Sequence, residues 1–314
     1  MVLSLRYRAN LLEMRSFKRF ETELAHLGFS HFQPLAPLRP WVQRYFHLRV
    51  ATDLPQSIEQ TFYPDGGTSL HFYFPTPTQT LTQTPTQTLT QTLSGEEPQV
   101  LFHCGQSRHS HAFLPGIELM TVRFHPGGAF HLLGIELQDI LSTSSVTTID
   151  ATQLQLTGLE QLLSQLAETN QPAQRIALLE HWLLQLSLRQ FTAMLTRHKS
   201  AMVGLVQANL PKLIQTQASL EDFYKQLPLS RRQFERRFKQ ETGLSPAQLL
   251  QLNRVKIARN LLSQSPNLSL VQVAFDCGFY DQAHLHQHFV RVTQQTPGQY
   301  KKRKMSQISN PRSR

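Results

Sequence analysis

Two short segments hold the side chains with chemistry to offer. In the first, Arg232, Glu235, Arg236 and Lys239 stand at i, i+3, i+4 and i+7, one face of a helix. In the second, Gln282, His286 and Gln287 stand on a comparable stretch. A guanidinium can bind guanine through two parallel bonds, glutamine can do the same with adenine, and glutamate can accept from the cytosine amine. Arg232, Glu235 and Arg236, together with Gln282, His286 and Gln287, are therefore the candidates for reading base edges. Arg231, Arg237, Lys239, Arg254 and Arg291, with the basic run Lys301-Lys302-Arg303-Lys304, suit phosphate contacts, which add affinity without sequence preference. An ordinary solvated helix also carries arginines, so the elements beneath must decide.

Those elements occur twice. Ser230 is placed to cap a helix, and Phe234 and Phe238, four apart, give that helix a buried face away from the arginines. Ahead of it, Ser219 to Leu227 reads as a short amphipathic helix with Leu220, Phe223 and Leu227 inward. Helix, tight turn and a cationic second helix make a helix-turn-helix pattern. The second copy begins at Ser269, ends its first helix at Gly278, and opens the next with Asp281 as cap and Leu285 and Phe289 inward. Phe238 precedes Pro246 by eight residues, and Phe289 precedes Pro297 by eight. Such a repeat implies two equivalent units. Between them Ser245-Pro246 opens a helix of about eighteen residues, with Leu250, Val255, Ala258, Leu261 and Leu262 available to both.

These residues resemble the AraC/XylS family of transcription regulators. The resemblance rests on Thr242-Gly-Leu-Ser-Pro246, Asn253-Arg254, Ala258-Arg259, Leu261-Leu262, Val273-Ala274, Cys277-Gly-Phe279, Asp281-Gln282, Phe289 and Pro297, and covers about the last 110 residues. Tyr224 replaces a usual alanine, Pro228 and Gln294 replace usual glycines, and Leu285 replaces a common phenylalanine. The resemblance implies a regulator that binds double-stranded DNA, with RNA polymerase and a small-molecule effector as further partners. It also implies a homodimer assembled or governed by the N-terminal half.

Composition agrees with an anionic partner for one half only. The 314 residues carry a net charge of +10, but residues 195–314 alone reach +13 and the first 194 carry −3. Two cysteines, Cys104 and Cys277, exclude a disulfide framework, and no apolar run is long enough to span a membrane, so a cytoplasmic protein is expected. The first thirty residues lack a signal-peptide pattern, and Met14 is an alternative start.

The remaining chain divides into a poorly patterned extension (1–30), a β-rich regulatory domain (31–150), a helical linker or dimerisation segment (151–195), the DNA-binding domain (196–304) and a disordered tail (305–314). A short helix is expected over Phe17 to Leu27. Trp41 to Arg49, Thr68 to Phe74, Val100 to Gly105 and Glu118 to His125 read as strands, with a hairpin turning at Tyr63-Pro-Asp-Gly66. Thr76 to Gln91 is two copies of an eight-residue Thr/Gln repeat, expected as a disordered loop (76–95) between two strands. Tyr63-Pro-Asp-Gly66 and Val122 to Gly127 resemble the N-terminal domain of a subset of AraC-type regulators, which implies a cupin-like β-domain. Leu159 to Ala167 and Ala173 to Phe191 are apolar-striped helices, expected to pack on their own domain, with dimerisation through the same helices as the alternative. The fold class is α+β: a β-barrel or sandwich-like domain, a helical linker, and an all-α domain of two helix-turn-helix units joined by a long helix.

Histidines are the one feature that suggests an enzyme. His71, His103 and His125 lie on or near strands, and His109 and His111 are assigned to a polar loop with no carboxylate at matching spacing. No metal, cofactor or catalytic residue is assigned, and no nucleophile–base pattern or phosphate loop stands out. The competing readings are a cupin-type metal-binding protein or enzyme fused to a DNA-binding module, and a purely architectural DNA binder.

Overall fold

The computed structural model describes residues 28–53, 58–74, 98–143, 148–197, 213, 220–265 and 267–309. The expected helix over 17–27 and the Thr/Gln tract lie outside these residues. Among the described residues the N-terminal half holds eight strands: β1 (Ser30–Phe32), β2 (Val42–Arg49), β3 (Ile58–Phe62), β4 (Ser69–Phe74), β5 (Gln99–His103), β6 (His109–Phe113), β7 (Glu118–Phe124) and β8 (Thr148–Asp150). Six form an antiparallel sheet in the order β1-β2-β7-β4-β5-β8, and β3 pairs with β6 in a second sheet. The larger sheet ends in β1 and β8 without closing, so this domain is an open two-sheet structure and not a barrel.

Two sequence expectations change here. The segments either side of Tyr63-Pro-Asp-Gly66 do not form a hairpin, because β3 pairs with β6 while β4 pairs with β5 and β7. The turn chemistry is real, but it carries the chain from one sheet to the other. His109 and His111 are not in a loop; they lie on β6, opposite Phe62 and Gln60 of β3. A polar stretch becomes a strand when a partner supplies its backbone bonds, which local sequence cannot reveal.

Period-two alternation makes the six-stranded sheet two-faced. Leu70, Phe72, Val100, Phe102, Met120, Val122 and Phe124 share one buried cluster with α3 (Leu159–Ala167) and α4 (Pro172–Arg197), through Leu162, Leu166, Leu179, Trp182 and Leu183. The striped helices thus pack on their own domain. Two shorter helices, α1 (Gly128–Leu133) and α2 (Leu137–Thr143), precede them.

Among the described residues the C-terminal half has helices and no strands: α5 (Leu220–Tyr224), α6 (Arg231–Thr242), α7 (Pro246–Gln264), α8 (Leu270–Asp276), α9 (Gln282–Thr293) and α10 (Pro297–Ser309). It has two cores. Phe223, Phe234, Phe238, Leu249 and Leu250 belong to one, and Val255, Ala258, Leu262, Phe279, Leu285 and Phe289 to the other. The long α7 feeds both along its length, as its apolar positions require. α10 continues to Ser309, so residues 305–309 are not the start of a tail. Thr296 caps it, buried Tyr300 anchors it, and no helix breaker precedes Pro311.

Ser230 caps α6 in a reciprocal box: its Oγ accepts from the Gln233 amide at 3.3 Å, and the Gln233 side chain accepts from the Ser230 amide at 3.2 Å. Ser230→Ala is expected to cost about 1 kcal/mol. A fall in the urea midpoint at unchanged slope checks it; an unmoved midpoint refutes it.

Candidate nucleic-acid interface

Burial fixes which face α6 can present. Phe234 and Phe238 are fully buried, with ring centroids 5.9 Å apart, so the helix cannot rotate without exposing both. Arg232, Arg236, Arg237 and Lys239 are exposed, and Glu235 is about a third exposed at 37%. In α9, Leu285 and Phe289 are fully buried, while Gln282, His286, Gln287 and Arg291 are exposed. The Asp281 carboxylate caps this helix by accepting from the His284 amide at 2.7 Å, and His284 Nδ1 accepts from the Tyr280 amide at 3.2 Å.

Two of the expected phosphate contacts are differently placed. Arg254 is turned inward and buried, donating to the Leu213 carbonyl at 3.3 Å, so it is not available to a phosphate in this arrangement. Its place on α7 faces the packed side, and the side chain follows. Arg231 is half exposed, but its guanidinium pairs with Glu221, donates to Glu235 Oε1 at 2.9 Å, and lies 5.0 Å from the Tyr224 ring.

The duplication extends to single hydrogen bonds. Thr242 Oγ1 donates to the Phe238 carbonyl at 2.8 Å and accepts from the Leu244 amide at 3.1 Å. Thr293 Oγ1 donates to the Phe289 carbonyl at 2.8 Å and accepts from the Gln295 amide at 3.2 Å. Ser245 and Thr296 then cap α7 and α10, with Gln248 and Gln299 returning bonds at 2.7 and 2.9 Å. The two units differ at the turn: Gly243 has φ +71°, and Gln294 adopts φ +57° where its side chain makes that conformation costly. The repeated threonines were visible in the sequence at matching distances from Phe238 and Phe289, and that spacing was the signal for them.

Residues 224–303 match the model of a helix-turn-helix domain, and residues 30–145 match a domain of unknown function, DUF6597. The transcriptional activator RhaS of Salmonella arizonae is 36% identical over 113 residues, which are 33% of this chain and 40% of that protein. Residues 224–303 are an AraC-type helix-turn-helix domain. The chain spans about two fifths of the length of the curated relatives it matches. Among solved structures, the DNA-binding domain of AdpA, a global transcriptional factor in complex with a target DNA, is 31% identical, covering 37% of this chain and all of that one at a TM-score of 0.32. An AraC-type transcriptional regulator from Chromobacterium violaceum is 32% identical, covering 33% and 88% of the two chains at a TM-score of 0.29.

The β-domain docks on the AraC-type domain away from its exposed arginines. It touches the first unit where α6 ends: Gln106 Nε2 donates to the Gly243 carbonyl at 3.2 Å, and His131 Nε2 lies 3.3 Å from a Glu241 carboxylate oxygen. A side chain at Gly243 would place its Cβ 2.5 Å from Leu141, so glycine there serves both the left-handed turn and the close approach. It touches the second unit through Tyr63. The Arg259 guanidinium lies 3.8 Å over that ring, and Arg303 donates to the Tyr63 hydroxyl at 2.8 Å. Between these contacts, Asp65 pairs with Arg123 of its own domain and, at 3.4 Å, with Lys256 of α7. Burial alone would raise the Asp65 carboxyl, but Arg123, then Lys256 and the Gly67 amide, outweigh it and hold the group well below the usual carboxylate range. In the sequence Tyr63 and Asp65 stood out as turn residues and within the N-terminal resemblance, with nothing to mark them as an interdomain contact.

The histidines converge after all. The His103 and His109 rings lie 4.2 Å apart and tilted by 44°, His71 lies 6.2 Å from His103, and His111 lies 6.3 Å from Tyr73. Burial first, then the neighbouring imidazoles, holds His71 down to about 3, His103 to about 2 and His111 to about 4, so all three are neutral. His71 and His103 exchange hydrogen bonds with Thr121 at 2.9 Å and Thr148 at 2.8 Å. Among the described residues, no group of three or more His, Cys, Asp or Glu is arranged to hold a metal ion. No described helix is long and apolar enough to cross a membrane.

Proposed function

We propose that this chain is a cytoplasmic, non-enzymatic regulator of transcription that reads double-stranded DNA with α6 and α9. The observation that carries the reading is the pairing of two capped helices, each with aromatic or aliphatic residues buried behind it and base-competent residues exposed. Arg232, Glu235 and Arg236 face one major groove, and Gln282, His286 and Gln287 face the next, about one helical turn away. Arg237, Lys239 and Arg291 contact phosphates. The docking of the β-domain at Gly243, Lys256 and Arg303 leaves these residues open, which supports binding by the intact chain. The β-domain takes a small-molecule effector or supplies a homodimer contact, and RNA polymerase is the further partner at a promoter. The RhaS relatives are named as transcriptional activators, which supports the reading.

Selection of the full chain against a random DNA pool at about 150 mM salt tests the reading under conditions where non-specific binding is weak. A two-part motif with centres about 10 base pairs apart supports it; enrichment without any motif leaves a non-specific binder and defeats it. Arg236→Ala is expected to cost about 1–3 kcal/mol of binding and to relax preference at one base. An even loss over all sequences assigns Arg236 to phosphate instead.

A further inference from the structure

Glu235 is the one acidic side chain among the base-reading candidates, and the structure assigns it a support that the sequence did not reveal. We infer that Tyr224 is a positioning residue which sets the base preference of Glu235, selecting the amino group of a cytosine. The inference rests on the DNA-reading proposal above and adds to it the chemistry of one base pair.

Tyr224 ends α5 and is buried to 7% exposure, its ring edge-on to Phe234 and tilted against Phe223, with centroids 5.9 Å away in each case. Its hydroxyl donates to Glu235 Oε1 at 3.0 Å. Arg231 Nε donates to the same oxygen at 2.9 Å. Both bonds fall on Oε1, and no described residue donates a hydrogen bond to Oε2. The carboxylate is therefore clamped through one oxygen by a rigid phenol and a guanidinium, and presents the other from the exposed face of α6. An oxygen that only accepts, fixed beside Arg232 and Arg236, matches the N4 amine of cytosine, which only donates, and not the acceptor edge of guanine. Arg231 is shared between Glu221 and Glu235, so it offsets only part of the Glu235 charge. A flexible glutamate would lose side-chain freedom on binding; one already held by a buried ring has lost it in the folded protein. Arg231 is thereby part of the support and not a free phosphate contact.

The test uses the full chain and the motif it selects. Glu235→Ala first identifies the base pair at which preference falls. Tyr224→Phe keeps the ring and its packing but removes the hydroxyl. It is expected to reduce preference for cytosine at that same base pair by about tenfold, the effect of one hydrogen bond to a charged group. Affinity for non-specific DNA and its salt dependence should stay unchanged. Combining both substitutions should give the preference of Glu235→Ala alone. Three outcomes overturn the inference while leaving the DNA-reading proposal intact: undiminished preference in Tyr224→Phe, a loss spread evenly over all sites, or no base pair affected by Glu235→Ala. A wild-type chain that selects no motif overturns the DNA-reading proposal, and the inference with it.

Discussion

Replacing Asp65 with alanine is expected to cost about 3 kcal/mol and to loosen the two domains from one another, because it leaves Arg123 and Lys256 without their shared partner inside the interface. The loss of one anion is worse than the loss of the whole group, since two cations then face each other at low solvent exposure. Asp65→Asn keeps the bond from the Gly67 amide, 3.1 Å in the wild type, and should fall between. Urea unfolding is the measurement: wild type should unfold cooperatively, and Asp65→Ala should either lose midpoint or separate into two transitions. An unchanged single transition would count against the clamp. The pH dependence has a definite sign. The folded carboxyl is held below its unfolded value of roughly 4, so its contribution is complete above that value and is lost as the pH falls further. The acid sensitivity of the wild type should therefore diminish in Asp65→Asn.

Glu118→Ala should be the most damaging change in the β-domain, at about 3–5 kcal/mol. Both Glu118 and Arg175 have side chains only 5% exposed, and Arg175 Nη1 donates to Glu118 Oε1 at 2.7 Å. His47 Nε2 shares that oxygen at 2.9 Å, while Arg49 donates to Oε2 at 2.8 Å. Arg175 has no retreat to water: Nε donates to the Thr169 carbonyl at 2.7 Å, and the guanidinium lies 3.4 Å over the Phe74 ring. Removing Glu118 would strand a buried cation and release α4 from the start of β7. Replacing both residues, as in Glu118→Leu with Arg175→Met, should recover much of the loss, because an apolar pair has no charge to desolvate. Thermal midpoints of the two single variants and the double variant decide this; additive losses would show that the ion pair is not the cause. Burial would raise the Glu118 carboxyl, but the bonds from His47 and Arg49 and the charge of Arg175 lower it overall, so this stability is also lost as the pH falls below about 4.

The C-terminal domain was legible because its information is local. Ser230, Phe234 and Phe238, repeated as Asp281, Leu285 and Phe289, state a cap and a buried stripe within twelve residues, and helices obey such short rules. The faces of α6 and α9 follow, since burying one stripe exposes the other. Arg254 escaped because a cationic residue on α7 looks alike in sequence whether it meets solvent or the Leu213 carbonyl. The β-domain was only partly legible. β2, β4, β5 and β7 were visible in the sequence, whereas the three-residue β1 and β8 were not; pairing joins residues as distant as Gln60 and His111, so the hairpin at Tyr63 was misread and β6 was taken for a loop.

By itself, then, the sequence determined the capped and striped helices, their duplication, the basic half and the polar faces offered to a polyanion. Only the tertiary structure decided that the two sheets stay open, that four histidines converge, and that Tyr63 and Asp65 join the domains. It also decided that Tyr224 reaches Glu235. The division has a physical cause: helix capping and amphipathicity act over four residues, whereas strand pairing, ion pairing and docking depend on chain closures of tens to hundreds of residues whose partners carry no local mark.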